Sequence, residues 1–181
     1  LTGTPPDTPV TLVCAPAGYG KSTLMATWHK QLSEQRHTTC WLSLEKDESS
    51  AIALLTYFIS ALSQIETISG ALARGQLANW SVDRSANIIA LLMKEIAEQP
   101  KSVILFIDDY HMVGTPAIAR IMETLINLLP DNLSLVIASR KRPQFSIGGL
   151  KVRNRLKEID AGNLRFSERD VEQFIGQQLD N

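Results

Sequence analysis

The sequence predicts an α/β fold: a three-layer sandwich in which helices cover both faces of a sheet of about five mainly parallel strands. Short β-branched runs alternate with segments of helical period along the chain. The run Val103-Ile104-Leu105-Phe106-Ile107 is apolar at every position, as a strand covered on both faces must be. A glycine-containing turn separates the first β-rich run from the first helical segment.

Taken in order, the first strand is Val10-Thr11-Leu12-Val13-Cys14, and the helix after the turn carries Leu24, Met25, Trp28 and Leu32 on one face. A second strand falls near Thr39 to Leu44. Two helical stretches follow, one with Ile52, Leu55, Phe58, Ile59 and Leu62, the other with Ile88, Ile89, Leu92 and Ile96. After the apolar strand at 103–107, Thr115-Pro116 opens a helix, with Pro where its missing N–H costs nothing. Ile118, Ile121, Met122, Leu125 and Leu129 carry that helix to Pro130. Leu133 to Ala138 reads as another buried strand, and Leu156 to Asp160 as a looser one. Ser167-Glu168-Arg169-Asp170 has the spacing of a capping box, and Val171, Phe174, Ile175 and Leu179 continue it as a helix.

With 181 residues, 44% apolar and 20% charged, the composition is that of one ordinary globular domain. A net charge of −1 gives no general attraction to nucleic acid. No apolar run approaches the roughly 20 residues that span a bilayer, and two cysteines make no disulfide framework, so a cytoplasmic address is expected. The chain opens at Leu1 rather than Met and stops on a helical pattern. The expected organisation is a lead segment at 1–9, the main domain at 10–166, and a truncated first helix of a following region at 167–181, all within a longer protein.

The turn after the first strand carries the first chemistry. Ala15-Pro16-Ala17-Gly18-Tyr19-Gly20-Lys21-Ser22 fits G-x-x-x-x-G-K-[ST] with Ala15 in place of the first Gly. A polyphosphate must exchange part of its water for other donors, and a row of backbone N–H groups at a helix N-terminus supplies them. Gly18 and Gly20 let the backbone curl, so the amides of Ala17, Gly18, Tyr19, Gly20, Lys21, Ser22 and Thr23 are expected to face the phosphates. Lys21 then brings a point charge to the β- and γ-phosphates, and the Ser22 hydroxyl a ligand for Mg²⁺. Ala15 leaves the strand without needing a positive φ, so a methyl is acceptable there.

Asp108 and Asp109 emerge where the fully apolar strand ends. Asp108 is expected to hold Mg²⁺ opposite Ser22, and Asp109 to polarise the attacking water as a general base. More than 80 residues separate Lys21 from Asp108, room for the extra-strand (RecA/AAA-like) arrangement of P-loop proteins. There the strand at 133–138 lies between the loop strand and the acidic strand. It delivers Ser139-Arg140, and Arg140 is then placed to report the γ-phosphate or to stabilise charge during transfer. The alternative for Arg140 is a plain surface arginine.

These segments resemble a known family. Ala-Pro-Ala-Gly-Tyr-Gly-Lys-Ser-Thr at 15–23, Trp41-Leu42-Ser43-Leu44, Phe106-Ile107-Asp108-Asp109-Tyr110-His111, and Ser139-Arg140 with Pro143 are similar to the ATPase domain of large LuxR-type transcriptional regulators. The resemblance runs through nearly the whole chain. It implies a signal-transduction ATPase that uses ATP/ADP and Mg²⁺ as a switch, monomeric with ADP and self-associating with ATP when an inducer is present. It also implies that a winged-helix region, a helical-repeat sensor and a C-terminal helix-turn-helix domain lie beyond this chain. The fragment itself is therefore expected neither to bind DNA specifically nor to contact a membrane.

Other features leave alternatives open. From Arg140 to Lys157 there are seven Lys or Arg and no acid. That stretch reads as a solvated loop and strand edge, as a surface meeting a neighbouring subunit's nucleotide, or as a nucleic-acid patch lacking interleaved aromatics. His29, His37 and His111 do not stand at zinc-ligand spacing from Cys14 or Cys40, and His111 is a candidate neighbour of the γ-phosphate. Cys14 and Cys40 are expected on strands too far apart to bridge. Trp28, Trp41 and Trp80 read as core or half-buried packing. The sequence has no Asn-Lys-x-Asp guanine motif and no Leu-Ser-Gly-Gly-Gln signature, and no arginine-rich substrate lid is evident. A slow regulatory ATPase is thereby favoured over a kinase or transporter ATPase, and over a scaffold that binds nucleotide without hydrolysis.

Overall fold

The computed structural model describes residues 8–45, 50–146 and 148–164. Residue 7 and those before it, and the capping box with its helix at 167–181, lie outside the described residues. Five strands form one sheet: β1 (Val10–Cys14), β2 (Thr38–Ser43), β3 (Val103–Asp108), β4 (Leu133–Ser139) and β5 (Leu156–Asp160). Their order is β2-β3-β4-β1-β5, and every adjacent pair is parallel. The expected insertion of the fourth strand between the loop strand and the acidic strand is what the structure has.

Alternation along the strands divides the core. Leu12, Leu105, Leu135 and Ile137 face one side, where they pack with α2 (Ala51–Leu62), α4 (Ser85–Ala97) and α5 (Pro116–Asn127). Val13, Phe106, Val136 and Ala138 face the other side and meet Leu24, Met25, Trp28 and Leu32 of α1 (Lys21–Glu34). Phe106 is fully buried there, stacked on the half-buried Trp41 at 5.6 Å with the His29 ring edge-on to both. Cys14 and Cys40 are free, with two strands between theirs, and burial pushes the Cys40 thiol up to about 12.

Two α-helices were not foreseen, the short α3 (Ala71–Leu77) and α6 (Gly148–Val152). The helix expected to reach Pro130 stops at Asn127, and Leu128 is its C-cap. Its start is as expected. Pro116 takes the first position, and Thr115 Oγ1 accepts from the Ile118 amide at 3.3 Å. Thr115→Ala should therefore cost about 1 kcal/mol. In a domain of this size that lowers Tm by about 2–4 °C, readable by thermal denaturation.

Candidate functional site

The carboxyl ends of β1, β4 and β3, which are adjacent in the sheet, bring together the residues singled out from sequence. The loop leaves β1 at Ala15, which is buried and donates its N–H to the Ser139 carbonyl at 3.2 Å. Ala15 is not among the residues with positive φ, so its methyl is unstrained. Gly18 and Gly20 do have positive φ, 82° and 74°. A β-carbon on either would meet nothing within 4 Å, so the backbone angle selects glycine here, and the space above the loop is open.

Gly20 is also the N-cap of α1, and it has no side chain to satisfy the first turn. No acidic residue stands in that turn either. The first helical hydrogen bond runs from the Leu24 amide to the Gly20 carbonyl, so the helix itself leaves the amides of Lys21, Ser22 and Thr23 unclaimed. The helices α2 and α5, by contrast, are capped by Ser50 and Thr115 side chains. Ser22 and Thr23 are exposed, as are Ala17 and Gly18, while Tyr19 is half-buried against the core on the α1 side.

Lys21 is only 7% exposed, and its Nζ donates to the Pro16 carbonyl at 2.9 Å across the loop. Burial holds its amine below the ordinary lysine range, and the Arg140 guanidinium pushes the same way. Asp109, Asp108 and Cys14 pull it back more weakly. A cation kept in this way, donating to the Pro16 carbonyl, is prepared to meet an anion.

On the acidic side, Asp108 is the last residue of β3 and is 5% exposed. Asp109 takes a left-handed conformation, φ 54°, and its N–H donates to Asp108 Oδ1 at 2.8 Å. The reversal ends the strand and anchors the first carboxylate. A 3-10 turn, Tyr110–Met112, continues from it, with Tyr110 buried edge-on against Phe145 at 5.4 Å. His111 Nδ1 lies 3.6 Å from Asp109 Oδ1, buried and without a hydrogen-bond partner among the described residues. Burial first, and Arg140 next, lower the His111 pKa, so the ring is neutral at pH 7.

Arg140 is exposed and directly follows β4. Its charge acts on both Lys21 and His111, so the structure brings Lys21, Asp108, Asp109, His111 and Arg140 within electrostatic reach of one another. The basic stretch beyond is less free than the sequence suggests. Arg142 Nη2 pairs with Glu158 Oε1 at 2.7 Å, and Lys151 pairs with the other oxygen of the same carboxylate. Glu158 went unnoticed in the sequence because the acid-free run ends at Lys157, one residue before it.

A strand, a glycine-shaped loop and an uncapped helix N-terminus beside a buried acid define a P-loop nucleotide-binding domain. The sequence matches the AAA domain family over residues 7–151, and the chain belongs to that family. It is 30% identical over 164 residues to the HTH-type transcriptional regulator MalT of Klebsiella pneumoniae, in each of two strains. That match covers 91% of this chain and 18% of the relative, so the chain spans about a fifth of the length of these curated relatives. Among solved structures it is similar to the Drosophila ORC bound to AT-rich DNA and Cdc6, with a TM-score of 0.54, 15% identity, and coverage of 85% of this chain and 48% of that one. A DNA replication initiation factor gives a TM-score of 0.50 at 15% identity, over 96% of this chain and 45% of that one. These two likenesses concern the fold. No helix among the described residues is long and apolar enough to cross a membrane.

Proposed function

We propose that this domain is an ATP-operated switch of a transcriptional regulator, slow in hydrolysis, whose ATP/ADP state governs self-association and a DNA-binding domain elsewhere in the protein. The observation that carries the reading is the convergence of Lys21, the Asp108-Asp109 turn and Arg140 on three adjacent strand ends. The likeness to a MalT regulator supports the regulatory half of the proposal.

The residues fit a magnesium nucleotide. The amides from Ala17 to Thr23 edge an open space, those of the first helical turn are left unclaimed by the helix, and Lys21 supplies a desolvated cation. Ser22 and Asp108 would hold the Mg²⁺, which when bound supplies charge neutralisation at the phosphates. Asp108 keeps Oδ2 for this task, since the turn engages Oδ1. Asp109 is the base in this reading: its side chain is 39% exposed, so water can reach it, and it accepts a proton from that water. The neutral His111 ring beside Asp109 adds no competing positive charge. Arg140 reads the γ-phosphate, the group that distinguishes ATP from ADP.

Asp108→Asn is the direct test, because it keeps the side chain's shape and its bond to the Asp109 amide. Calorimetry with and without Mg²⁺ should show ATP affinity falling about tenfold or more in the presence of the metal, with little change in EDTA. Equal losses under both conditions would remove Asp108 from the metal.

A further inference from the structure

We propose that Glu158 is a positioning residue for Arg140, holding the loop after β4 through Arg142 and Lys151 so that the guanidinium of Arg140 distinguishes a triphosphate from a diphosphate. The inference rests on the reading of Arg140 given above and adds a residue from a different strand to it.

The residues on either side of the exposed Arg140 are held by contacts of their own. On the N-terminal side, Ser139 is almost fully buried, and its hydroxyl donates to the Lys141 carbonyl at 2.5 Å, closing a tight turn around Arg140. On the C-terminal side, the next side chain but one, Arg142, is tied to Glu158 at 2.7 Å. The second oxygen of Glu158 takes Lys151, at the far end of the same connection. One carboxylate thus collects two cations from a segment that would otherwise repel itself, since Arg140, Lys141 and Arg142 are consecutive. An isolated surface pair contributes little, but two donors sharing one exposed acceptor restrict geometry more than a single pair does.

Glu158 stands on β5 in register with Leu12 of β1, two residues before Cys14. Arg142 and Glu158 both act on the Cys14 thiol, in opposite directions, which sets this ion pair at the base of the phosphate loop. Phe145 anchors the loop's middle against Tyr110, and the Ser146 amide is held by Glu123 at 2.8 Å. Those contacts preserve the fold of the segment without Glu158. What the carboxylate adds is the aim of its first three residues.

Field and position act with opposite sign, and that makes the idea testable. Removing a negative charge near the phosphates strengthens binding of both nucleotides, ATP more than ADP, and so raises the ATP/ADP affinity ratio. Loss of positioning lowers that ratio. In the full-length protein, Glu158→Gln, Glu158→Asp and Arg140→Ala should be compared for Mg-ATP and Mg-ADP binding by calorimetry, with Tm recorded for each. The expected result is a ratio reduced about threefold to tenfold in Glu158→Gln, in the direction of Arg140→Ala, with Tm unchanged. Glu158→Asp keeps the charge but withdraws the carboxylate by one methylene, and its ratio should lie between. An unchanged or raised ratio in Glu158→Gln, with Arg140→Ala lowered, overturns the role of Glu158 and leaves Arg140 standing. A normal ratio in Arg140→Ala removes the reading of Arg140, and this inference falls with it. Should Glu158→Gln fail to fold, Glu158→Asp decides: a ratio equal to wild type overturns the proposal.

Discussion

Lys21→Met should lose ATP binding to calorimetry, by about a hundredfold or more, and at the same time stabilise the nucleotide-free domain. The first effect follows from removing the only cation set within the loop, where charge-assisted hydrogen bonds contribute about 1.5–3 kcal/mol each. The second follows from burial. At 7% exposure the ammonium has lost most of its water, and this burial together with repulsion from Arg140 outweighs the pull of the two aspartates. Methionine fills the same volume without a charge, so Tm should rise by about 2–4 °C, roughly 1 kcal/mol. The sign of the pH dependence supplies a further check. The folded pKa of Lys21 is lowered, so between that value and the ordinary 10.5 the unfolded chain binds more protons than the folded one. Wild-type stability therefore gains as pH rises through that window, and the advantage of Lys21→Met should shrink there. Retained ATP affinity would show that the loop is not the phosphate site, and an unstabilised variant that Lys21 is not strained by its burial.

Asp109→Asn should slow hydrolysis by about a hundredfold or more while ATP and ADP bind almost as before. Asparagine tolerates the left-handed backbone at φ 54°, so the turn and its bond to Asp108 Oδ1 persist. What is lost is a carboxylate able to take a proton, since His111 beside it is neutral but buried at Nδ1. Single-turnover phosphate release reads the rate directly. Turnover equal to wild type would mean that Asp109 organises the turn and takes no part in proton transfer.

The legible parts of this protein are those where one residue type has one physical use. An apolar run with no polar break had to be an interior strand, and β3 is buried throughout. Thr115-Pro116 had to start a helix, and it does. Gly18 and Gly20 marked backbone angles that other residues avoid, and both are left-handed. The unforeseen parts lack that one-to-one relation. In α3 only Ala73 is buried, so its seven residues carry no apolar stripe to read. The five residues of α6 begin with two glycines, a composition that signals a turn. The left-handed twist at Asp109 is invisible because aspartate is equally at home in ordinary conformations. Pairing across the sheet is invisible for another reason: Glu158 reaches Arg142 and Lys151 only because β5 lies beside β1, a fact of topology rather than of local sequence.

That placement of β1 also governs when the nucleotide cradle can exist at all. The strand that launches the loop is synthesised well before both of its neighbours: Val10 aligns with Leu135 on one side and with Leu156 on the other. A nascent polypeptide emerging from the ribosome has β2 and β3 available to zip together while β1 waits, without a ladder, for more than a hundred further residues. Closure of the cradle is consequently a late event in biogenesis, and the same non-local architecture makes it slow.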